Sequence, residues 1–111
     1  MTVKEISGKL GLGVISLPEP DREVRDVYIG DLLSWVMGRA PADSAWITIM
    51  SNINICAVAT LADTACVILA EGVTPDPPAL EAVSTKGINV LTSDKTSYRV
   101  AAELAMLGVG V

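Results

Sequence analysis

The chain has 111 residues, half of them hydrophobic, and a formal net charge of −5 with eight basic residues. This length predicts a single domain over residues 1–111 that can bury a substantial core. Few, scattered basic residues argue against nucleic-acid binding, and no apolar run is long enough to predict a membrane span. The charged start "MTVKEISGKL" lacks the apolar core of a signal peptide, so we expect a cytoplasmic protein.

The first forty residues predict two helices, a strand and an extended segment. Thr2 and Glu5 have the spacing of a capping box, and Gly11 is a typical helix stop. Asp31 takes the cap position of the second helix, which Gly38 and Pro41 end. In chain order the predicted elements are the helix 2–11, the strand 12–17, the extended segment 21–30 and the helix 31–40.

Beyond residue 44 apolar strands and helices alternate regularly. Asp76 is the expected N-cap of one of these helices, Pro77 lies in its first turn and Gly87 is its stop. In chain order the elements are the strand 45–50, the helix 52–63, the strand 65–70, the helix 75–87, the strand 88–93 and the helix 94–107. Alternation of this kind, with continuously apolar strands, predicts an α/β fold: a small three-layer domain with a mainly parallel sheet flanked by helices.

Polar side chains follow three of the predicted strands. In a parallel sheet the loops at the carboxyl ends lie along one edge, where open α/β folds bind ligands. We therefore predict a ligand-binding edge formed by Ser51, Asn52, Asn54, Glu71, Thr74, Thr92, Ser93 and Asp94. The same residue types are the preferred helix caps, so the alternative is that they cap helices and bind nothing.

The sequence offers no constellation for catalysis, and we expect no catalytic residue, cofactor or metal. With no histidine, neither the serines nor Cys56 and Cys66 have the usual base beside a nucleophile. Both cysteines lie in apolar runs typical of inert core thiols, and two are too few for an iron–sulfur cluster within one chain. No P-loop motif is present. A group of acidic residues is interpreted as a solvated loop rather than a metal site: Asp21, Glu23, Asp26 and Asp31.

Apolar side chains in excess of one small core predict self-association. Trp35, Trp46 and the apolar tail "LGVGV" at 107–111 indicate surface that remains to be covered. We expect a homodimer with two-fold symmetry. The tail either docks on the fold or meets a partner.

The stretch from Asp21 to about Leu104 resembles the DRTGG domain family and the related amino-terminal domain of HPr kinase. The resemblance lies in "DREVRDVYIGDLLSWVM", in "AWIT" and, most specifically, in "VILAEGVTPDPPALEAVSTKGINVLTSDKTSYRVAAEL". The opening "MTVKEISGKLGLGV" is similar to the start of stand-alone members. The family's T-G-G-D-R run after a central strand is replaced by "TIMSN", in which only Thr48 matches. No ligand role of that run is therefore carried over.

The resemblance implies a regulatory rather than a catalytic role. Such domains are parallel α/β modules that occur beside phosphotransacetylases and in CBS-containing pyrophosphatases, where they pair with each other and flank a nucleotide-sensing region. Stand-alone members often occur near hydrogenase components. We therefore predict a non-enzymatic regulatory or interaction module that self-associates. The alternatives are a sensor that binds an adenine nucleotide or similar phosphate-bearing metabolite, and an accessory protein of a hydrogenase or other redox complex with a protein partner.

Overall fold

The computed structural model describes all residues, 1–111, and contains helices and strands wherever the sequence predicts them. The helices are α1 (Val3–Leu10), α2 (Leu33–Arg39), α3 (Asn54–Ala62), α4 (Pro77–Lys86) and α5 (Ser97–Met106). The strands are β1 (Gly13–Ser16), β2 (Asp26–Ile29), β3 (Ser44–Thr48), β4 (Cys66–Leu69) and β5 (Val90–Thr92). The predicted α/β architecture is confirmed.

The five strands form one sheet in the order β1-β5-β4-β3-β2. The pairs β2–β3, β3–β4 and β4–β5 are parallel, and only β1 runs antiparallel, against β5. Every residue of β3 and β4 is buried, as expected for central parallel strands that are covered on both faces.

The sheet separates two apolar cores because successive strand side chains point to opposite faces. On one face Ile47, Ile68 and Leu91 pack against α1 and α5. On the other face Trp46, Val67 and Val90 pack against α2, α3 and α4. The result is the predicted three-layer arrangement, with the carboxyl ends of β3, β4 and β5 at one end of the sheet.

The predicted cap positions are confirmed for α1 and α4 and wrong for α2. The Thr2–Glu5 capping box is present, and Gly11 ends α1 with a φ of 63°. Asp31 does not cap α2: the N-cap is Leu32, which makes no side-chain cap bond. The Asp31 carboxylate instead accepts hydrogen bonds from Thr48 Oγ1 at 2.8 Å and from the Ile49 amide at 3.0 Å. Asp76 lies at the N-cap of α4 but makes no cap bond either.

One tryptophan is buried and the other is half exposed, so the expectation that both leave apolar surface to be covered is wrong for one of them. Trp46 is fully buried, and its indole Nε1 donates to the Gly30 carbonyl at 2.9 Å. Trp35 is half exposed, and the Arg39 guanidinium lies 3.6 Å from its ring centroid.

The apolar tail docks on the fold. Val109 is buried in the core formed with α1 and α5. Gly110, at a φ of 76°, lies so close to β2 that a Cβ there would be 3.0 Å from Val27 Cγ2. The tail thereby covers part of the free edge of β2, where Asp26 Oδ1 also accepts from the Val27 amide at 2.8 Å.

Candidate functional site

The loops that follow β3, β4 and β5, here called the carboxyl edge, are joined by backbone hydrogen bonds. The Glu71 amide donates to the Lys95 carbonyl at 2.8 Å, and the Gly72 amide donates to the Ser93 carbonyl at 2.9 Å. The Asp76 amide donates to the Ser51 carbonyl at 2.9 Å. The structure therefore brings together the three loops that the sequence predicted to share one edge.

Several predicted site residues use their side chains to bind backbone amides in these loops. Asn52 Oδ1 accepts from the Asn54 amide at 2.9 Å at the start of α3. Ser93 Oγ accepts from the Lys95 amide at 3.1 Å, and Glu71 Oε2 accepts from the Ser97 amide at 3.2 Å at the start of α5. Asn52 and Ser93 thus bind the amide two residues ahead in their own loops, and Glu71 binds an amide in the first turn of α5. These bonds shape the loops, but the N-caps themselves are Ile53 for α3 and Thr96 for α5.

Of the remaining predicted residues, three have side chains without a hydrogen bond, and the other two lie beside β1 or α4. Ser51, Thr74 and Asp94 lie in the carboxyl-edge loops, and their side chains make no hydrogen bond within the chain. Thr92 lies beside β1, where its hydroxyl occupies the space that a side chain at Gly13 would need. Asn54 is exposed at the first turn of α3 and faces a groove against α4.

The charge of the carboxyl edge is negative. Glu71, Asp76 and Asp94 are exposed there. Lys95, in the loop after β5, is already paired with Glu103, with Nζ 2.8 Å from Oε1, and Arg99 in the first turn of α5 is the one cation there without an ion pair. An anionic ligand would therefore meet unneutralised carboxylates at this edge.

A second concave region lies between α3 and α4 and was not predicted. This α3–α4 groove encloses about 550 Å³ and is lined by Ile53, Ala57, Thr60, Leu61, Ala82 and Lys86, together with Asn54 and Cys56. Its sequence signal is the run "NICAVATLA", which carries no charge over the whole of α3. The sequence predicts a helix there but not a groove.

A third cluster, also unpredicted, surrounds Arg22 at the opposite end of the sheet. Arg22 Nη2 lies 3.0 Å from Asp43 Oδ1 and 2.7 Å from Asp63 Oδ1, and it donates to the Asp63 carbonyl at 2.8 Å. A cavity of about 170 Å³ adjoins this cluster, and the Thr64 hydroxyl beside it is buried without a partner. Partial burial acts to lower the pKa of Arg22, but the hydrogen bonds that Arg22 donates to Asp63 and Asp43 outweigh it and raise that pKa.

The Arg22 cluster joins three segments that precede strands. Asp43 precedes β3 and Asp63 precedes β4, and both adopt a left-handed backbone with φ of 63° and 55°. Because Arg22 is already bonded to both, it holds these turns in place rather than offering a free cation. The sequence signal was the Asp21-Arg22 pair, which carried no indication of partial burial.

Both cysteines are buried free thiols, as predicted. Burial raises the pKa of the Cys66 thiol to about 12 and also raises that of Cys56. The thiolate, which is the nucleophile and the metal ligand, is therefore disfavoured at both positions.

The acidic residues at 21–31 do not converge on one point. Glu23 Oε2 lies 2.9 Å from the Met1 amine, Asp26 binds the Val27 amide and Asp31 binds Thr48. No three side chains of the histidine, cysteine, aspartate or glutamate type are grouped to hold a metal ion. None of the five helices combines the length and the apolar character that crossing a bilayer requires.

Comparison with known proteins adds a structural likeness. No protein-family model and no curated protein matches the sequence. The chain is similar to a crystal structure of the CBS and DRTGG domains of the regulatory region of Clostridium perfringens pyrophosphatase, complexed with the activator diadenosine tetraphosphate. The TM-score is 0.71 at 15% sequence identity, over 93% of this chain and 45% of that one. At this identity the likeness shows the fold, and it confirms a DRTGG-like domain architecture.

Proposed function

We propose that this chain is a non-enzymatic regulatory or interaction module that self-associates. The proposal is carried by the likeness to the CBS and DRTGG domains, which belong to a regulatory region in the pyrophosphatase. The site chemistry is consistent with it, because Asn52, Glu71 and Ser93 at the carboxyl edge are engaged in binding backbone amides. Acid–base catalysis would need titratable groups positioned toward a substrate instead.

Self-association is supported by the distribution of exposed apolar side chains. Half of the large exposed ones lie on the layer formed by α2, α3 and α4 and the loops that begin these helices: Leu32, Trp35, Met37, Ile53, Leu61 and Leu80. Apolar side chains gathered on one layer are the kind of surface that a second copy can cover. Sedimentation velocity across a concentration series tests this directly. A homodimer sediments at twice the monomer mass of 11.6 kDa, and a single monomer species at tens of micromolar contradicts self-association.

A second candidate is a sensor of an adenine nucleotide or similar phosphate-bearing metabolite. The observation that favours it is the activator in the similar structure, diadenosine tetraphosphate, together with the unengaged side chains of Ser51, Thr74 and Asp94. The negative charge of the carboxyl edge acts against it, so the affinity for a nucleotide would be modest.

Thermal unfolding with adenine nucleotides, each with and without magnesium, tests the sensor. Ligand at a hundred times its dissociation constant adds about 2.7 kcal/mol, a rise in Tm of roughly 10 °C for a domain of this size. The double variant Ser51→Ala, Thr74→Ala should lose the shift, whereas Leu80→Ala, on the outer face of α4, should retain it. If millimolar nucleotide does not raise Tm, the sensor is excluded and the interaction module is the function that stands.

The association with a hydrogenase or other redox complex stays a prediction. The protonated, buried thiols described above offer no ready cluster ligand, so any such role would rest on protein contact. Anaerobic purification should then give a colourless protein without stoichiometric iron, and a visible charge-transfer band would contradict this.

A further inference from the structure

Helix α3 differs from the other four helices in carrying no charged residue, although 19% of the chain is charged. Its outward side chains are uncharged as well: Asn54, Ala57, Thr60 and Leu61 are all exposed. Two copies of a chain with a net charge of −5 repel each other at long range. A contact between copies is least opposed where the surface is uncharged, and α3 supplies such a surface.

The α3–α4 groove has both a projection and a hollow. Leu61 lies at one end of the groove and is 73% exposed. So large an exposure leaves most of an apolar side chain in contact with water. The small side chains of Ala57 and Ala82 leave the hollow of about 550 Å³ beside it. A surface that has both features fits a second copy of itself, because a two-fold axis lets each copy place its leucine in the hollow of the other.

Two unpaired charges of opposite sign flank the same region. Glu81 and Lys86 both line a hollow that adjoins the groove and shares Ile53 and Ala82 with it. Neither forms an ion pair within the chain. This is also true of Lys4, Lys9, Arg39 and Arg99, so Glu81 and Lys86 are distinguished by their place beside the groove and by their opposite signs. A two-fold axis near the middle of α4 would bring Glu81 of one copy toward Lys86 of the other, twice.

We propose that the α3–α4 groove is the contact surface between two copies of this chain, with Leu61 in each copy inserted into the groove of the other and Glu81 facing Lys86 across the two-fold axis. The inference rests on the self-association proposed above and assigns it to one surface.

Charge reversal tests the pairing through sedimentation equilibrium. Lys86→Glu places two like-charge contacts in the dimer, and Glu81→Lys does the same with the opposite sign. Each variant alone should dimerise about tenfold more weakly than the wild-type chain, since rim charge pairs are individually weak. An equimolar mixture of the two variants should recover dimerisation, because every contact across the axis is then between opposite charges.

Leu61→Glu supplies the larger effect and should shift the chain to monomer at concentrations where the wild type is dimeric. Met106→Glu is the matched control, because Met106 is 83% exposed on α5, in the opposite layer. Far-ultraviolet circular dichroism and Tm of each variant establish that it is folded. Both leucine and methionine are exposed, so neither substitution should unfold the domain.

The outcomes separate the two proposals. If the wild-type chain is monomeric at every concentration measured, the proposal of self-association itself is wrong. A wild-type dimer that Leu61→Glu leaves intact, or variants that do not recover on mixing, overturns the assignment to this groove and leaves self-association standing. Dissociation by Leu61→Glu but not by Met106→Glu, with recovery in the mixture, establishes the surface.

Discussion

The two ends of the sheet both carry polar residues but use them differently. At the amino ends of the parallel strands, Arg22 binds Asp43 and Asp63 and joins the segments that precede β3 and β4. At the carboxyl ends, the loops are joined mainly through backbone amides, and Ser51, Thr74 and Asp94 are left unengaged. The comparison teaches that a row of polar residues at strand ends does not by itself define a site, because loops need hydrogen bonds of their own.

The largest expected effect comes from removing the cation at the amino end. Arg22→Ala removes the bonds to both Asp43 and Asp63 and leaves the partly buried Asp43 carboxylate with only Arg25, at 3.5 Å. It should lower the free energy of unfolding by about 2–3 kcal/mol, or Tm by roughly 10 °C. Lys95→Ala is the matched variant at the carboxyl end, where Lys95 is 45% exposed against 24% for Arg22 and has a single carboxylate partner. It should cost less than about 1 kcal/mol. Equal losses, measured by urea unfolding, would remove the distinction between the ends.

A smaller effect is expected from two aspartates that were both predicted to be caps. Asp31→Ala leaves the fully buried Thr48 hydroxyl without its acceptor and should cost about 1.5 kcal/mol. Asp76→Ala removes a side chain with no cap bond and should change stability by less than about 0.5 kcal/mol. Thermal unfolding of the two variants side by side ranks them, and the reverse order would show that Asp76 stabilises the start of α4 although its side chain makes no cap bond.

Within the carboxyl edge, a carboxylate that binds a helix amide can be compared with one that makes no hydrogen bond. Glu71→Ala removes the oxygen that accepts from the Ser97 amide and should cost about 0.5–1 kcal/mol. Asp94→Ala has no such bond to lose and should leave Tm unchanged within error. If Asp94→Ala instead raises Tm, relief of repulsion among the edge carboxylates is the cause, and the edge is more strongly acidic than its geometry indicates.

The smallest effect concerns pH at the start of α1, which packs against the Arg22 segment. The backbone hydrogen bond from Thr2 lowers the pKa of Glu5 below its ordinary value of 4.5. A depressed folded-state pKa contributes stability above the ordinary value, and this is lost as pH falls through the folded-state pKa. Glu5→Gln should therefore lose stability at neutral pH but show a shallower decline as the pH falls below 4.5. If urea unfolding shows that the stability of the wild-type chain and of the variant falls equally with pH, this prediction is contradicted.

Much of the fold was predictable because its signals are local. Capping at Thr2 and Glu5, glycine stops such as Gly11 and Gly87, and the continuous apolar runs of β3 and β4 all arise from residues close together in the chain. The errors arose where distant segments compete for one group. Asp31 was assigned to the next helix, but Thr48, 17 positions away, holds it. Trp46 was counted as surface, but a central strand buries it.

The sequence by itself determined the order of the elements, the mainly parallel sheet and the neutral character of α3, because periodicity, caps and charge are properties of adjacent residues. Only the tertiary structure decided that Arg22 joins two strand-leading turns, that the tail covers β2 and that Leu61 stands beside a hollow between α3 and α4. Those features depend on which side chains of distant segments meet, and such contacts are set by the packing of whole layers rather than by any local pattern.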